Sequence, residues 1–102
     1  HEAIAAAKGG VISLAQTAAA SMASKGVRVN CVAPGLVDTP MAERLTSSDK
    51  AREASESMHA LGRLGTPDDT APLIDWLLSD DSSWVTGQCF GVDGGLAAVK
   101  GR

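Results

Sequence analysis

Between Glu2 and Ser24 apolar side chains return every three or four residues, at Ile4, Ala7, Val11, Leu14, Ala15, Ala18 and Met22, which predicts one long helix. Alanine fills much of the remainder and favours the same state. The opposite face (Ala3, Ala6, Gly10, Thr17, Ser21) carries little bulk; either a second helix packs closely there, or alanine is present only as a good helix former. Lys25-Gly26 ends the pattern, with Gly26 placed for the left-handed conformation that closes helices. Val27–Val32 then reads as a strand buried on both faces, stopped sharply by Pro34-Gly35. From Thr39-Pro40 to about Met58 the chain is polar. The weak apolar repeat there (Met41, Leu45, Met58) predicts one or two short helices covering a site, and this is the segment expected to move most. Thr66-Pro67-Asp68-Asp69 is a helix start: Thr66 as N-cap, Pro67 at the first helical position and carboxylates facing the helix dipole. That helix should run to about Ser79 and bury Ala71, Ile74, Leu77 and Leu78, with Trp76 on a second contact. Asp80–Ser83 reads as a loop and Gln88–Val92 as a second strand, ended by a turn in which Asp93 precedes Gly94-Gly95.

Helix, strand, covering helices, helix, strand is an α/β order, and a strand–crossover–strand unit of this length is parallel and right-handed. Two parallel strands alone form a marginal sheet, because parallel strands are normally paired on both edges and covered on both faces. The expectation is therefore a single incomplete domain over residues 1–102 that associates, either as a homo-oligomer or with a missing N-terminal half. The chain begins at His1 without an initiator Met and reads as cut from something longer.

With 102 residues, a net charge of −3 and no basic cluster, the chain offers no footprint for nucleic acid. No apolar run is expected to reach the roughly 18 residues that span a bilayer, and no signal pattern opens the chain. A cytoplasmic location, without membrane contact, is the default. Cys31 and Cys89 each fall in a strand with no metal-type partner in the sequence, which predicts small buried apolar roles and no metal site.

Several motifs, in order, carry a resemblance: Lys8-Gly9-Gly10-Val11, Arg28-Val29-Asn30, Pro34-Gly35, Arg63-Leu64-Gly65 with Pro67, Thr86-Gly87-Gln88 and Val92-Asp93-Gly94-Gly95. Together they resemble the C-terminal portion of a short-chain dehydrogenase/reductase. The resemblance implies a partial Rossmann-like doubly wound parallel sheet, an NAD or NADP cofactor, and hydride transfer to or from a small-molecule carbonyl or alcohol. It implies that Lys8 is the catalytic lysine and also holds the nicotinamide ribose. It further implies that Pro34 and Gly35 line the nicotinamide, that the Val37 backbone bonds its carboxamide, and that Thr39 bonds the carboxamide or the pyrophosphate.

The same register places Ile4 where the family has its tyrosine, and the chain contains no tyrosine at all. Isoleucine has no proton to give. His1, Glu2 or His59 are candidate replacements, each with a plainer reading as an exposed residue; Thr39 has a plainer reading as a helix cap, Lys8 as a surface lysine, Asn30 and Asp93 as structural. The Gly-rich phosphate turn that the family carries upstream of its tyrosine has no counterpart in these residues. The expected function is that of an oxidoreductase at the level of the parent protein, inactive as this chain alone. The alternative is a non-catalytic oligomerisation module or a truncated remnant of that fold.

Overall fold

The computed structural model of the protein describes residues 1–98, apart from the side chains of Met41, Arg44 and Leu45. The apolar repeat expected through Met41 and Leu45 lies outside those described side chains. In order, the elements are α1 (Glu2–Met22), a 3-10 turn (Ala23–Lys25), β1 (Cys31–Pro34), a 3-10 turn (Pro40–Ala42), α2 (Glu43–Thr46), α3 (Asp49–Met58), α4 (Pro67–Leu78), a 3-10 turn (Asp80–Ser82) and β2 (Cys89–Val92). β1 and β2 form a two-stranded sheet, and the bonds Cys31 N to Gln88 O (2.8 Å) and Gly35 N to Val92 O (3.0 Å) keep one offset throughout, so the strands are parallel. The α/β class and the parallel crossover are as the sequence predicts.

The chain divides into two compact units. The first comprises His1–Val32 and Trp76–Phe90. Gly26 closes α1 and its 3-10 turn at φ 73°, its N–H reaching the Ala23 carbonyl. Ala19 is the buried apolar residue of α1, and an added Cβ at Gly87 would stand 3.6 Å from it. The strand begins at Cys31, four residues later than expected, because side chains replace the ladder ahead of it. Asn30 Nδ2 donates to the Val85 carbonyl (3.0 Å), Asn30 Oδ1 accepts from Gln88 N–H (3.1 Å), and Val29 N–H donates to Thr86 Oγ1 (3.1 Å). Arg28 reaches across to the end of α4. Its guanidinium donates to the carbonyls of Leu77 (2.7 Å), Ser79 (3.1 Å) and Val85 (3.1 Å), and the Ser82 hydroxyl, fully buried, lies within bonding distance of the Trp76, Leu77 and Ser79 carbonyls. The carbonyls that a helix C-terminus leaves orphaned are thus covered by Arg28 and Ser82. Trp76 meets Phe90 edge to face at 6.5 Å, the second contact expected of it.

The second unit comprises Ala33–Asp75 and the chain from Gly91. Ala42 and Leu64 are its buried apolar residues. An isolated parallel bridge joins Val37 to Gly65 through Gly65 N to Leu36 O and Asp38 N to Gly65 O, both 2.9 Å. α4 starts as predicted at Pro67. Asp69 accepts from the Thr66 N–H (2.7 Å) and from its hydroxyl (3.1 Å), the carboxylate half of a capping box. Pro72 sits inside α4 and withholds the N–H that would bond the Asp68 carbonyl.

Four expectations need correction. The face of α4 is not buried: Ala71 and Ile74 are exposed and Leu78 is 82% exposed, and β1 is likewise open at Ala33 and Pro34, because two strands offer too little surface to cover what the pattern marks as apolar. Cys89 is exposed and Cys31 only half-buried, for the same reason. Asp80–Ser82 is a 3-10 turn capped by the Ser79 hydroxyl rather than an irregular loop. Finally, the helix through Lys25 has 24 residues and a mean hydropathy of 1.2, long and apolar enough to cross a membrane by length and composition. The small apolar residues that dominate it hid this, since core helices pass the same measure.

Candidate functional site

Lys8 stands exposed on α1, in the first unit, one turn beyond Ile4, which is 54% exposed. Cβ atoms added at Gly9 or Gly10 would meet nothing within 4 Å, so the small face of α1 is open. His1 and Glu2 are exposed at the start of the same helix.

Pro34, Gly35, Val37 and Thr39 belong to the second unit, where the structure does bring residues together. The segment Gly35–Asp38 is held on several sides. Gly35 N–H bonds Val92 O, and Leu36 N–H bonds His59 Nε2 (3.2 Å). Leu36 O and Asp38 N–H both bond Gly65. Between these tethers, the N–H and C=O of Val37 have no hydrogen-bond partner among the described residues. A planar amide bearing one donor and one acceptor matches this pair.

Gly35 is required by close approach rather than by dihedral angle. A Cβ there would lie 2.9 Å from His59 Nε2 and 3.0 Å from Asp93 Cα and Cβ. Asp93 is the turn-former expected of it, Oδ1 accepting from Gly95 N–H (2.9 Å) and Oδ2 from Ala97 N–H (3.1 Å), while Gly94 and Gly95 take φ 58° and 88°.

His59 differs most from its sequence reading. It is not an exposed helix residue but 4% exposed, just past the end of α3. Leu36 N–H can only donate and Ser55 O can only accept, so the ring takes its proton on Nδ1 and gives it to Ser55 O at 2.7 Å. No sequence spacing links residues 36 and 59. His59, Leu36, Val37, Gly65 and Asp93 line a cavity of about 140 Å³, together with Arg63, Asp69 and Thr70. The Thr70 hydroxyl there is buried without a hydrogen-bond partner among the described residues.

Thr39 caps the turn at Pro40–Ala42, its Oγ1 accepting from Ala42 N–H at 3.3 Å. The cap uses an acceptor site and leaves the hydroxyl proton for another group. Thr39 also lines an open recess of about 530 Å³ with Asp38, Glu43 and Arg52, where Arg52 binds Asp38 (2.9 Å) and Glu56 (3.1 Å). The Asp38 carboxylate, then that of Glu56, hold the Arg52 guanidinium more firmly protonated. The Arg63 guanidinium, followed by the Thr66 N–H, holds Asp69 far below the usual carboxylate range. Burial, then the neighbouring Cys89 thiol, pushes the Cys31 thiol up.

Fold and site define a portion of an α/β domain built on a parallel sheet. Residues 1–97 match the family model described as enoyl-(acyl carrier protein) reductase. The chain belongs to the short-chain dehydrogenase/reductase family. It is 51% identical over 92 residues to the 3-oxoacyl-(acyl-carrier-protein) reductase of Thermotoga maritima, covering 90% of this chain and 37% of that protein. It is 41% identical over 97 residues to 3beta-hydroxysteroid dehydrogenase 1 of Eggerthella lenta, covering 95% of this chain and 37% of the relative. Among solved structures it superposes on 4-hydroxyisoleucine dehydrogenase complexed with NADH with a TM-score of 0.88 at 32% identity, covering 93% of this chain and 39% of that one. A putative NAD(P) dependent gluconate 5-dehydrogenase from Beutenbergia cavernae with bound NADP gives 0.87 at 37% identity, with 93% and 38% covered. The chain therefore spans less than half the length of the relatives it matches.

Proposed function

We propose that the protein carrying this chain is an NAD(P)-dependent oxidoreductase acting on a carbonyl or alcohol of a small molecule, and that this chain forms the nicotinamide side of its site. The observation that carries the reading is the Val37 backbone: one N–H and one C=O without internal partners, fixed between the tethered Leu36 and Asp38. They suit the nicotinamide carboxamide, with Gly35 close by and the Thr39 hydroxyl two residues on. The bound dinucleotide would supply the hydride. Lys8 would hold the ribose and hold the proton-transfer site electropositive. Ile4, one turn away, supplies no proton, so a water or another side chain would have to deliver it. The relatives include a 3-oxoacyl-(acyl-carrier-protein) reductase and a 3beta-hydroxysteroid dehydrogenase, which differ too widely to fix a substrate. A cytoplasmic location and self-association belong to the same reading. Fractionation tests the first and sedimentation equilibrium the second.

Fluorescence titration of the full-length protein that carries this chain, with NADH and NADPH, is the deciding experiment. Saturable binding at micromolar concentrations, with carbonyl reduction, supports the reading. Binding without turnover favours the non-catalytic alternative that Ile4 suggests, and no binding of either dinucleotide refutes the reading altogether. The isolated 102-residue chain is expected to bind neither.

A further inference from the structure

Four hydrogen bonds hold the backbone from Gly35 to Asp38, and three of them run between backbone groups. The fourth, Leu36 N–H to His59 Nε2, is the one that depends on a side chain. We propose that His59 is a positioning residue for the dinucleotide: it holds the Gly35–Leu36 peptide, which leads into the two peptides, both tethered to Gly65, on which Val37 presents its N–H and C=O. The inference rests on the reading of Val37 given above.

The ring is held by Ser55 O, which takes its Nδ1 proton at 2.7 Å, and it lies so near two glycines that a Cβ added at Gly35 would stand 2.9 Å from Nε2 and one added at Gly94 3.8 Å from Cδ2. The His59 backbone is pinned as well, donating to Glu56 O (3.1 Å) and accepting from Gly62 N–H (2.8 Å). A ring this constrained offers its acceptor at one place, and Leu36 N–H is there. Without it the peptide between Gly35 and Leu36 gains freedom that the ligand must remove on binding, a cost equivalent to about tenfold in affinity for roughly one residue's backbone freedom.

The experiment compares two probes on the full-length protein: the reduced dinucleotide it prefers, and ADP-ribose, which lacks the nicotinamide. His59→Asn keeps a donor within reach of Ser55 O and removes the acceptor from Leu36. His59→Gln extends an oxygen toward Leu36 N–H. The expected result is about tenfold weaker dinucleotide binding by His59→Asn, unchanged ADP-ribose binding, and recovery of most of the loss in His59→Gln. Equal weakening toward both probes would make His59 merely structural and overturn the proposal, as would unchanged dinucleotide affinity in His59→Asn. If His59→Asn does not fold, His59→Gln decides: dinucleotide affinity near wild type supports the proposal, and a loss shared by both probes overturns it. Failure of the wild-type protein to bind any dinucleotide would instead remove the proposed function, and this inference with it.

Discussion

Replacing Gly35 by alanine adds one methyl group to the most crowded point beside the candidate site. The new Cβ would lie 2.9 Å from His59 Nε2 and 3.0 Å from Asp93 Cα and Cβ. Two of those atoms belong to a residue whose carboxylate is locked into its own turn by Gly95 and Ala97 N–H, so neither side yields cheaply. Forcing a methyl group into such a site costs about 1–3 kcal/mol. If the ring retreats instead, Leu36 N–H loses its acceptor, a penalty of about 1–3 kcal/mol for an unsatisfied donor. Alanine returns roughly 0.4–1 kcal/mol by restricting the unfolded chain, since Gly35 is not among the positive-φ glycines and its dihedral angles do not forbid a side chain. The net expectation is a loss of about 1 kcal/mol, rising to about 2.5 kcal/mol where the crowding cost is greatest, read from the urea midpoint. Gly65→Ala is the control: its Cβ would find Val37 Cγ2 at 3.5 Å and Leu36 O at 3.6 Å, ordinary contacts, and stability should stay within about 0.5 kcal/mol of wild type. A Gly35→Ala protein as stable as this control would refute the crowding argument and the placement of His59 with it.

Arg28→Ala should cost about 1.5–3 kcal/mol by urea unfolding, because the carbonyls of Leu77, Ser79 and Val85 lose a charged donor; Arg28→Lys should recover little, since one ammonium cannot span all three. Asp69 titrates below the unfolded value of about 3.9, so its pairing with Arg63 and Thr66 stabilises the fold above that pH and is lost as pH falls through its depressed folded value. Thermal melts at descending pH should therefore show a smaller acid loss in Asp69→Asn than in wild type, and identical acid limbs would contradict the assignment. In the full-length protein, Ile4→Tyr places a phenol one turn from Lys8 and should raise carbonyl reduction by at least about tenfold. Lys8→Ala in the same background should cancel the gain, and an unchanged rate in Ile4→Tyr, with dinucleotide shown to bind, would favour the non-catalytic module.

What was legible in the sequence is what local chemistry decides. Gly26 ends α1 because only a glycine takes φ 73° at no cost, and Thr66-Pro67 opens α4 because the Asp69 carboxylate on Thr66 N–H and the fixed proline angle act within four residues. Asp93-Gly94-Gly95 turns for the same kind of reason. Periodicity, by contrast, marks which face is apolar but not whether anything covers it, and so it misjudged α4 and both cysteines. The bonds that define the site escape sequence reading for a further reason. His59 and Leu36 lie 23 residues apart, Arg28 and Leu77 lie 49 apart, and both contacts exist only after the crossover has closed. The Val37 groups are a different case, since their significance is a lack of partners that becomes visible only when Leu36 and Asp38 on either side are seen to be tethered. A family motif can name such a residue, but only the tethering explains why the Pro34-Gly35 turn must be followed by a backbone this rigid. Of the four bonds that hold it, the one made by a side chain comes from His59, which no motif in the chain includes.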